Sequence, residues 1–236
     1  MKKILIPVYS AILISCLLSS CLFGINGSGK VVKSERQVAS FTAISASAGL
    51  EIILSQDSVV KVVVEADDNL QEIIKTEVSN GELKIYPTQQ IRHCKSKKIF
   101  VTFKTIHALD ASSGSELISK IALKIPSLHL SVSSGANANL MLEVTRLNVD
   151  ASSGGNIKLL GITDSFDVDG SSGANIIAID LQSKSCNAGA SSGANLKLST
   201  TEKINAQASS GGTIKVKGNP KDRNIQKSSG GNIDVE

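Results

Sequence analysis

The tripeptide Ser-Ser-Gly recurs seven times in the C-terminal half of the chain at a nearly constant interval. A fixed period with the same turn residues in every copy is typical of a solenoid, in which one small unit stacks on itself. The repeat therefore constrains the fold far more than it constrains the activity. The copies end at Gly114, Gly135, Gly154, Gly173, Gly193, Gly211 and Gly230, which are 21, 19, 19, 20, 18 and 19 residues apart.

Apolar residues recur at fixed distances from these glycines. Because successive side chains of a strand point to opposite faces, apolar residues at every second position mark a buried face. The intervening residues, such as Asp150 and Lys158, are polar and are predicted to face water. Each repeat thus predicts two short strands. In the repeat around Gly154 the inward residues are Leu147, Val149, Ala151, Ile157 and Leu159.

The near-constant period favours strands that stack parallel on their equivalents one coil later, rather than hairpins. The sequence therefore predicts an all-β fold, a single-stranded parallel β-helix (β-solenoid) with coils of about 19 residues. Its strands are expected about 4.8 Å apart along the axis. His107, Arg223 and Lys227 break the apolar columns near the ends of the array, where a solenoid needs polar capping.

Asparagine occupies the second position after most of the glycines. Its amide can bond the equivalent amides above and below, and asparagine tolerates left-handed backbone angles. We interpret this column as a structural turn ladder, and a polar array that binds a repetitive glycan or a water lattice is the alternative. The column comprises Asn137, Asn156, Asn175, Asn195 and Asn232, with Glu116 and Thr213 as exceptions.

Residues 1–21 predict an export signal that ends in a lipobox. Two lysines precede an apolar stretch from Ile4 to Leu18, which is too short to indicate a membrane span. Leu18-Ser19-Ser20-Cys21 resembles a bacterial lipobox, in which the cysteine is acylated and becomes the new N-terminus. A second box ending at Cys16 would leave a shorter apolar region. We predict lipidation of Cys21 and a membrane anchor, since several acyl chains together hold a protein firmly on a bilayer.

The rest of the chain divides into residues 22–40, an N-terminal linker and head segment, and residues 41–236, the β-helix domain. Within the domain we expect irregular coils over 41–108 and Ser-Ser-Gly coils over 109–236. Asn80-Gly81 indicates a tight turn or hairpin, and Asp67 to Ile74 could form one helical turn. Strand candidates in the irregular part are Val59 to Glu65, Lys75 to Ser79, Glu82 to Tyr86 and Ile99 to Phe103.

Charge and aromatic content argue against a nucleic-acid partner. Removal of the signal leaves 23 basic and 21 acidic residues, a net side-chain charge of +2. Five Phe, two Tyr and no Trp cannot build the stacking platforms that single-stranded nucleic acids use. Cys94 and Cys186 remain, and a disulfide between them would have to span the predicted distance along the stack, which disfavours it.

Several segments, in order, resemble the family of putative auto-transporter adhesins with a head GIN domain. The resemblance covers most of the mature chain and implies a right-handed β-helix at the cell envelope of a Gram-negative bacterium, with the outer membrane as the expected location. It also implies an adhesive or surface-interaction role, with a glycan or protein ligand. The segments are Gly27 to Val32, Phe41 to Ile44 leading into Ser47-Ala48-Gly49, Val62 to Leu70 and the Ser-Ser-Gly turns.

An enzyme and a purely structural envelope spacer are the alternatives. Many parallel β-helices cleave polysaccharides with paired acids, and Asp150 and Asp169 occupy equivalent positions of neighbouring coils, with Asp110 and Asp167 nearby. Solvated strand faces commonly carry such acids, so we expect no catalytic residues and no enzyme activity.

No cofactor or metal site is expected either. The turns lack the Asp of calcium-binding solenoid repeats, and no Gly-x-Ser-x-Gly elbow stands beside one of the three histidines, His93, His107 and His129. The segment Arg92 to Lys98 would repel a cation. Its four basic residues suggest contact with anionic lipid or glycan.

Overall fold

The computed structural model describes residues 24–236, so the predicted lipidation site Cys21 and the alternative Cys16 lie outside the described residues. The described chain forms one sheet of seventeen strands and a short 3-10 helix at Asp68–Leu70. The strands are β1 Val31–Arg36, β2 Ala43–Ala46, β3 Glu51–Gln56, β4 Lys61–Asp67, β5 Ile74–Ser79, β6 Glu82–Pro87, β7 Lys97–Phe103, β8 Ala108–Ala111, β9 Glu116–Ser119, β10 Leu123–Val132, β11 Asn137–Ala151, β12 Asn156–Gly170, β13 Asn175–Ala190, β14 Asn195–Ala208, β15 Thr213–Lys217, β16 Asp222–Lys227 and β17 Asn232–Val235.

The repeat coils stack in parallel, one above the next. Strand β11 pairs with β12 along almost its whole length, from Asn137 opposite Asn156 to Ala151 opposite Gly170. Strands β12 and β13, and β13 and β14, pair in the same way. These pairings confirm the predicted parallel β-helix with coils of about 19 residues. Each long strand continues around a corner of the coil, so one strand supplies both sides.

The stacked coils have two sides, which we name by their position relative to the Ser-Ser-Gly turns. The first face carries the residues that follow each Ser-Ser-Gly turn, as in the first half of β12 and in β15 and β17. The second face carries the residues that precede each turn, as in the last third of β12 and in β16. The turn joins the two faces at one edge of the coil, and the bend within the long strands joins them at the other.

The core is a narrow column of aliphatic side chains between the two faces. Ile157 and Leu159 are buried on the first face, and Leu147, Val149 and Ala151 are buried on the second, as the alternation predicts. His107 is exposed, as a residue that breaks the apolar column should be, and its neighbour Ile106 is buried.

The Ser-Ser-Gly turns reverse the chain with two successive residues at positive φ. Ser172 has a φ of 50° and Gly173 a φ of 73°, and the N–H of Ala174 donates to the carbonyl of Ser171 at 3.0 Å. This pattern is that of a type I′ turn, which requires left-handed angles at both central residues. The Gly173 N–H also donates to Ser192 of the next coil at 3.1 Å, so the turns are bonded to one another along the axis.

The serine at positive φ gives a direct test of the turn. We expect Ser172→Val to lower the stability by about 1–2 kcal/mol, because left-handed angles are costly for residues with a Cβ and most costly for β-branched ones. Ser172→Gly should leave the protein as stable or more stable. Urea unfolding measures both changes. Ser171→Val, one residue earlier and outside the positive-φ pair, is the control, and an equal cost at the two serines would contradict this account.

The N-terminal coils do not stack in sequence order. The pair β2 and β3 lies between two later coils, because β2 pairs with β6 and β8 while β3 pairs with β7 and β9. Strands β1, β4 and β5 run antiparallel to their neighbours and close this end of the helix. Asn80-Gly81 forms the β5–β6 hairpin, as predicted.

This arrangement changes two expectations drawn from the repeat. His107 does not mark the end of the stack, because the coils of β2–β3 and β6–β7 continue beyond it. Residues 31–36, assigned to the linker and head segment, form strand β1 of the sheet. At the opposite end β16 is exposed along its whole length, and Arg223 turns back to donate to the Pro220 carbonyl at 2.8 Å.

Candidate binding site

A groove of about 780 Å³ runs along the edge where the long strands bend from one face to the other. It crosses the coils of β10 to β14, and we call it the corner groove. Gly161 lies at this bend with a φ of 122°, and a Cβ there would overlap the Leu142 carbonyl. Register shifts between β12, β13 and β14 fall on the same edge, so the small differences in coil length are absorbed here.

The floor of the groove is a column of buried side chains, which are apolar in the first coils and carry hydroxyl groups in the later ones. Ile125 lies opposite Val144, which lies opposite Thr163 and then Ser183. The hydroxyl of Thr163 donates to the Ser165 carbonyl at 3.0 Å, and that of Ser183 donates to the Ser199 carbonyl at 2.8 Å. These hydroxyls satisfy backbone carbonyls left free by the bend, so their role is structural.

The walls carry paired charges of both signs. Lys124 Nζ lies 3.0 Å from Glu143 Oε2, and Lys184 Nζ lies 2.7 Å from Asp164 Oδ1. The hydrogen bond to Asp164, together with its charge, raises the pKa of Lys184. The walls therefore offer both a cation and an anion to a ligand.

Exposed apolar side chains gather along the same edge. Among the described residues, seven large hydrophobic side chains are exposed, and four of them, Ile121, Met141, Ile162 and Ile179, lie between the first-face and second-face segments of their coils. Ile162 lines the groove and is 53% exposed. The segment after β3 lies beside β10, because the Gln56 amide donates to the Lys124 carbonyl at 2.9 Å. The other three are Val59 and Val60, in this segment, and Ile225, in β16.

The asparagine column occupies one edge of the first face. Asn137, Asn156, Asn175 and Asn195 lie opposite one another in successive coils, and Thr213 separates Asn195 from Asn232. The Asn195 amide donates to Asn175 Oδ1 at 3.1 Å, whereas the Asn156 amide donates to the Gly154 carbonyl at 3.0 Å. The amides thus bond both along the ladder and back into their own turns.

The aspartates considered for catalysis lie on the second face. Asp150 is directly opposite Asp169, and Ser131 separates Asp150 from Asp110. Burial raises the pKa of Asp169, and the charges of Asp150 and Asp167 raise it further. Gly189 makes room for the Asp169 carboxylate, since a Cβ at Gly189 would overlap Oδ1.

A second amide column, which sequence reasoning missed, runs beside these acids. The Asn187 amide donates to Asp167 Oδ1, and the Asn205 amide donates to Asn187 Oδ1 at 2.8 Å. The signal was present in the sequence, because the sixth position before every one of these glycines except Gly114 holds a polar residue. The column comprises His129, Asn148, Asp167, Asn187, Asn205 and Asn224.

The basic segment predicted from the sequence lies at the head end, where it surrounds a buried carboxylate. Asp67 is fully buried and accepts backbone N–H bonds from Gly29 at 2.8 Å and from Lys95 and Ser96 at 3.1 Å. Burial alone would raise the pKa of Asp67, but these three donors and the Lys95 charge bring it below its usual value.

The residues described by the structure contain no cluster of three or more His, Cys, Asp and Glu side chains that could hold a metal ion. Cys94 and Cys186 are both free thiols. Over residues 24–236, no helix has the length and apolar character needed to cross a membrane.

The described residues form a solenoid with a groove along one edge. Residues 40–220 match the family model described as "Putative auto-transporter adhesin, head GIN domain". The chain belongs to this family, as the resemblance predicted. Membership indicates a protein of the bacterial surface or envelope.

Solved structures share the fold at low sequence identity. A putative adhesin from Bacteroides fragilis is 23% identical with a TM-score of 0.83, and the match covers 90% of this chain and all of the other. A putative lipid binding protein from Parabacteroides distasonis is 24% identical, with a TM-score of 0.67 and coverage of 90% and 99%. A putative adhesin from Parabacteroides merdae is 18% identical, with a TM-score of 0.72 and coverage of 90% and 98%. No curated protein matches the chain.

Proposed function

We propose that this protein is a non-enzymatic adhesin, anchored at Cys21 to the outer membrane of a Gram-negative bacterium, that binds a partner protein in the corner groove. The observation that carries the proposal is that the exposed Ile162 lines this large groove, on the edge where Ile121, Met141 and Ile179 are also exposed. A groove with exposed apolar side chains and polar groups at its rim is typical of an interaction site.

The lining of the groove favours a polypeptide ligand over a glycan. None of the residues that line it in the described part of the chain is aromatic, so these residues offer no flat apolar surface on which a sugar ring packs. Ile162 and Pro126 offer aliphatic contacts instead, between the Lys124–Glu143 and Lys184–Asp164 ion pairs. A partner segment that carries both apolar and charged side chains matches this chemistry.

The proposal is tested by a binding screen of the mature protein against immobilised extracellular-matrix proteins, glycans and lipid vesicles. Lipid is included because one relative of the same fold is described as a putative lipid binding protein. We expect saturable binding to a protein, weakened at least tenfold by Ile162→Ser. Ile225→Ser is the matched control, since Ile225 is exposed but lies in β16 on the second face. An equal loss of affinity in both variants would exclude the corner groove as the binding site.

A polysaccharide-active enzyme is the second candidate, and the raised pKa of Asp169 favours it. A carboxylic acid that stays protonated to higher pH beside two other carboxylates resembles the acid and base pair of glycosidases. Degradation assays on the same glycans separate the candidates. Release of oligosaccharide that Asp169→Asn abolishes would replace the adhesin proposal with an enzyme, whereas binding without cleavage supports the adhesin.

A further inference from the structure

The start of the described chain is fixed against the loop between β6 and β7. The Ile25 N–H donates to the Gln90 carbonyl at 2.8 Å, and the Arg92 N–H donates back to Ile25 at 3.0 Å. The Gly27 N–H donates to the His93 carbonyl at 2.6 Å. We call residues 90–96 the head loop. On the other side of the segment, the Asn69 amide donates to the Asn26 carbonyl at 2.9 Å, so the position of the chain at Gly24 is determined by both neighbours.

This attachment restricts where a lipid anchor can lie. Only Leu22 and Phe23 separate Cys21 from Gly24, and the three steps between these Cα atoms span at most about 10–11 Å even in a fully extended chain. The Debye length at physiological ionic strength is about 8 Å. Acyl chains on Cys21 would therefore hold the head loop close enough to a membrane surface for its charges to interact with lipid headgroups.

The head loop carries two basic side chains outside any ion pair of the described residues, although the Lys95 charge acts on the buried Asp67 carboxylate. Arg92 and Lys95 are exposed, and within residues 24–236 neither forms an ion pair with an acidic side chain. The three neighbouring carboxylates have other partners. Asp67 accepts backbone N–H bonds, Asp68 pairs with Lys30 at 3.6 Å, and Glu65 pairs with Lys33 at 3.0 Å.

We propose that the head loop is a membrane-contact surface that binds the anionic lipid headgroups around the anchor. Clusters of Lys and Arg next to a membrane attachment are attracted to anionic lipid. This inference rests on the proposed anchor at Cys21. The contact orients the β-helix with the head end at the bilayer and β16 at the far end, roughly 40 Å away at about 4.8 Å for each coil. The corner groove is then presented away from the membrane.

The absence of tryptophan from the chain allows a background-free test. Full-length protein, acylated in a Gram-negative host, is reconstituted on vesicles of phosphatidylcholine with phosphatidylglycerol, and brominated lipids quench any tryptophan near the bilayer. His93→Trp places the fluorophore in the head loop, and Gln226→Trp in β16 is the matched control at the far end. We expect several-fold stronger quenching of the His93→Trp protein. Circular dichroism verifies that both variants are folded.

Neutralising Arg92 and Lys95 tests whether their charges attract the loop to anionic lipid. Added to the His93→Trp protein, Arg92→Gln and Lys95→Gln should reduce quenching several-fold on phosphatidylglycerol vesicles and leave it unchanged on phosphatidylcholine alone. Flotation of the vesicles tests the lipid anchor at Cys21 separately from the membrane-contact surface of the head loop. Protein that floats but shows equal quenching at both reporter positions overturns the membrane-contact surface alone. Protein that does not float overturns the lipid anchor and, with it, this inference.

Discussion

Replacing Ile157 by Asp is expected to unfold the repeat coils, whereas replacing its neighbour Lys158 by Asp is expected to leave them folded. Ile157 is buried in the narrow core, and Lys158 is exposed on the first face. Loss of a buried isoleucine side chain costs about 2–5 kcal/mol, and burial of an unpaired carboxylate adds several more. The sum approaches the 5–15 kcal/mol that typically holds a domain folded.

The β-helix leaves little room to accommodate the new charge. Ile157 packs in a column with Ala138 and Ile176, its partners in the coils on either side, and a solenoid coil contacts only its neighbours. Circular dichroism at 25 °C and a thermal melt measure the effect. We expect the Ile157→Asp protein to lose most of its β signal or its cooperative transition, and the Lys158→Asp protein to melt within a few degrees of the wild type. Similar melts for the two variants would mean that the assignment of inward and outward residues is wrong.

The buried columns were predictable because the repeat copies can be aligned with one another on their glycines. Seven Ser-Ser-Gly copies fix the phase of every strand, and period-two alternation then assigns Ile157 inward and Lys158 outward without further information. His107 shows the limit of that procedure. Ala108 to Ala111 keep the register of the following coil, but His107, just before β8, is exposed and its neighbour Ile106 is buried instead.

The order of the first coils could not be predicted in the same way. Residues 24–108 contain only one altered copy of the turn, Ser47-Ala48-Gly49, so the repeat does not align these strands. Local propensity identifies strands without identifying their partners. Asn80-Gly81 determined the β5–β6 hairpin because a tight turn specifies its own strand pairing. The insertion of β2 and β3 between later coils depends on contacts distant in sequence, such as Ile44 with both Leu83 and Leu109.

The corner groove was missed because it arises where the repeat is least regular. Its lining comes from five neighbouring strands, and the exposed Ile162 occupies a position that holds Glu143 in one adjacent coil and Gln182 in the other. A column of mixed character carries no sequence signal. The asparagine column, in contrast, was visible because the same residue recurs, although recurrence alone does not separate a structural ladder from a binding surface.

Asp67→Asn is expected to destabilise the head end strongly at neutral pH. Asp67 Oδ1 and Oδ2 accept N–H bonds from Gly29, Lys95 and Ser96, whereas an asparagine amide would direct its own donors at one of these groups. A hydrogen bond to a buried charged group contributes about 1.5–3 kcal/mol. We therefore expect a loss of about 2–4 kcal/mol, measured by urea unfolding at pH 7.

The same carboxylate predicts how the stability depends on pH. Its pKa is lower in the folded protein than the usual 3.8, so the unfolded chain binds the proton more readily. The stabilisation is complete above the unfolded pKa and disappears as the pH falls through the folded pKa. The difference between wild type and Asp67→Asn should therefore shrink as the pH falls below about 4.

Asp68→Asn is the matched control, because it removes the adjacent carboxylate, whose partners Ser28 and Lys30 lie at the surface. We expect it to change stability far less than Asp67→Asn at pH 7. A difference between wild type and Asp67→Asn that stays constant from pH 7 to pH 2 would show that the charge of Asp67 contributes nothing. The three N–H groups would then need only a neutral acceptor, and the head loop would be held by its backbone bonds to Ile25 and Gly27.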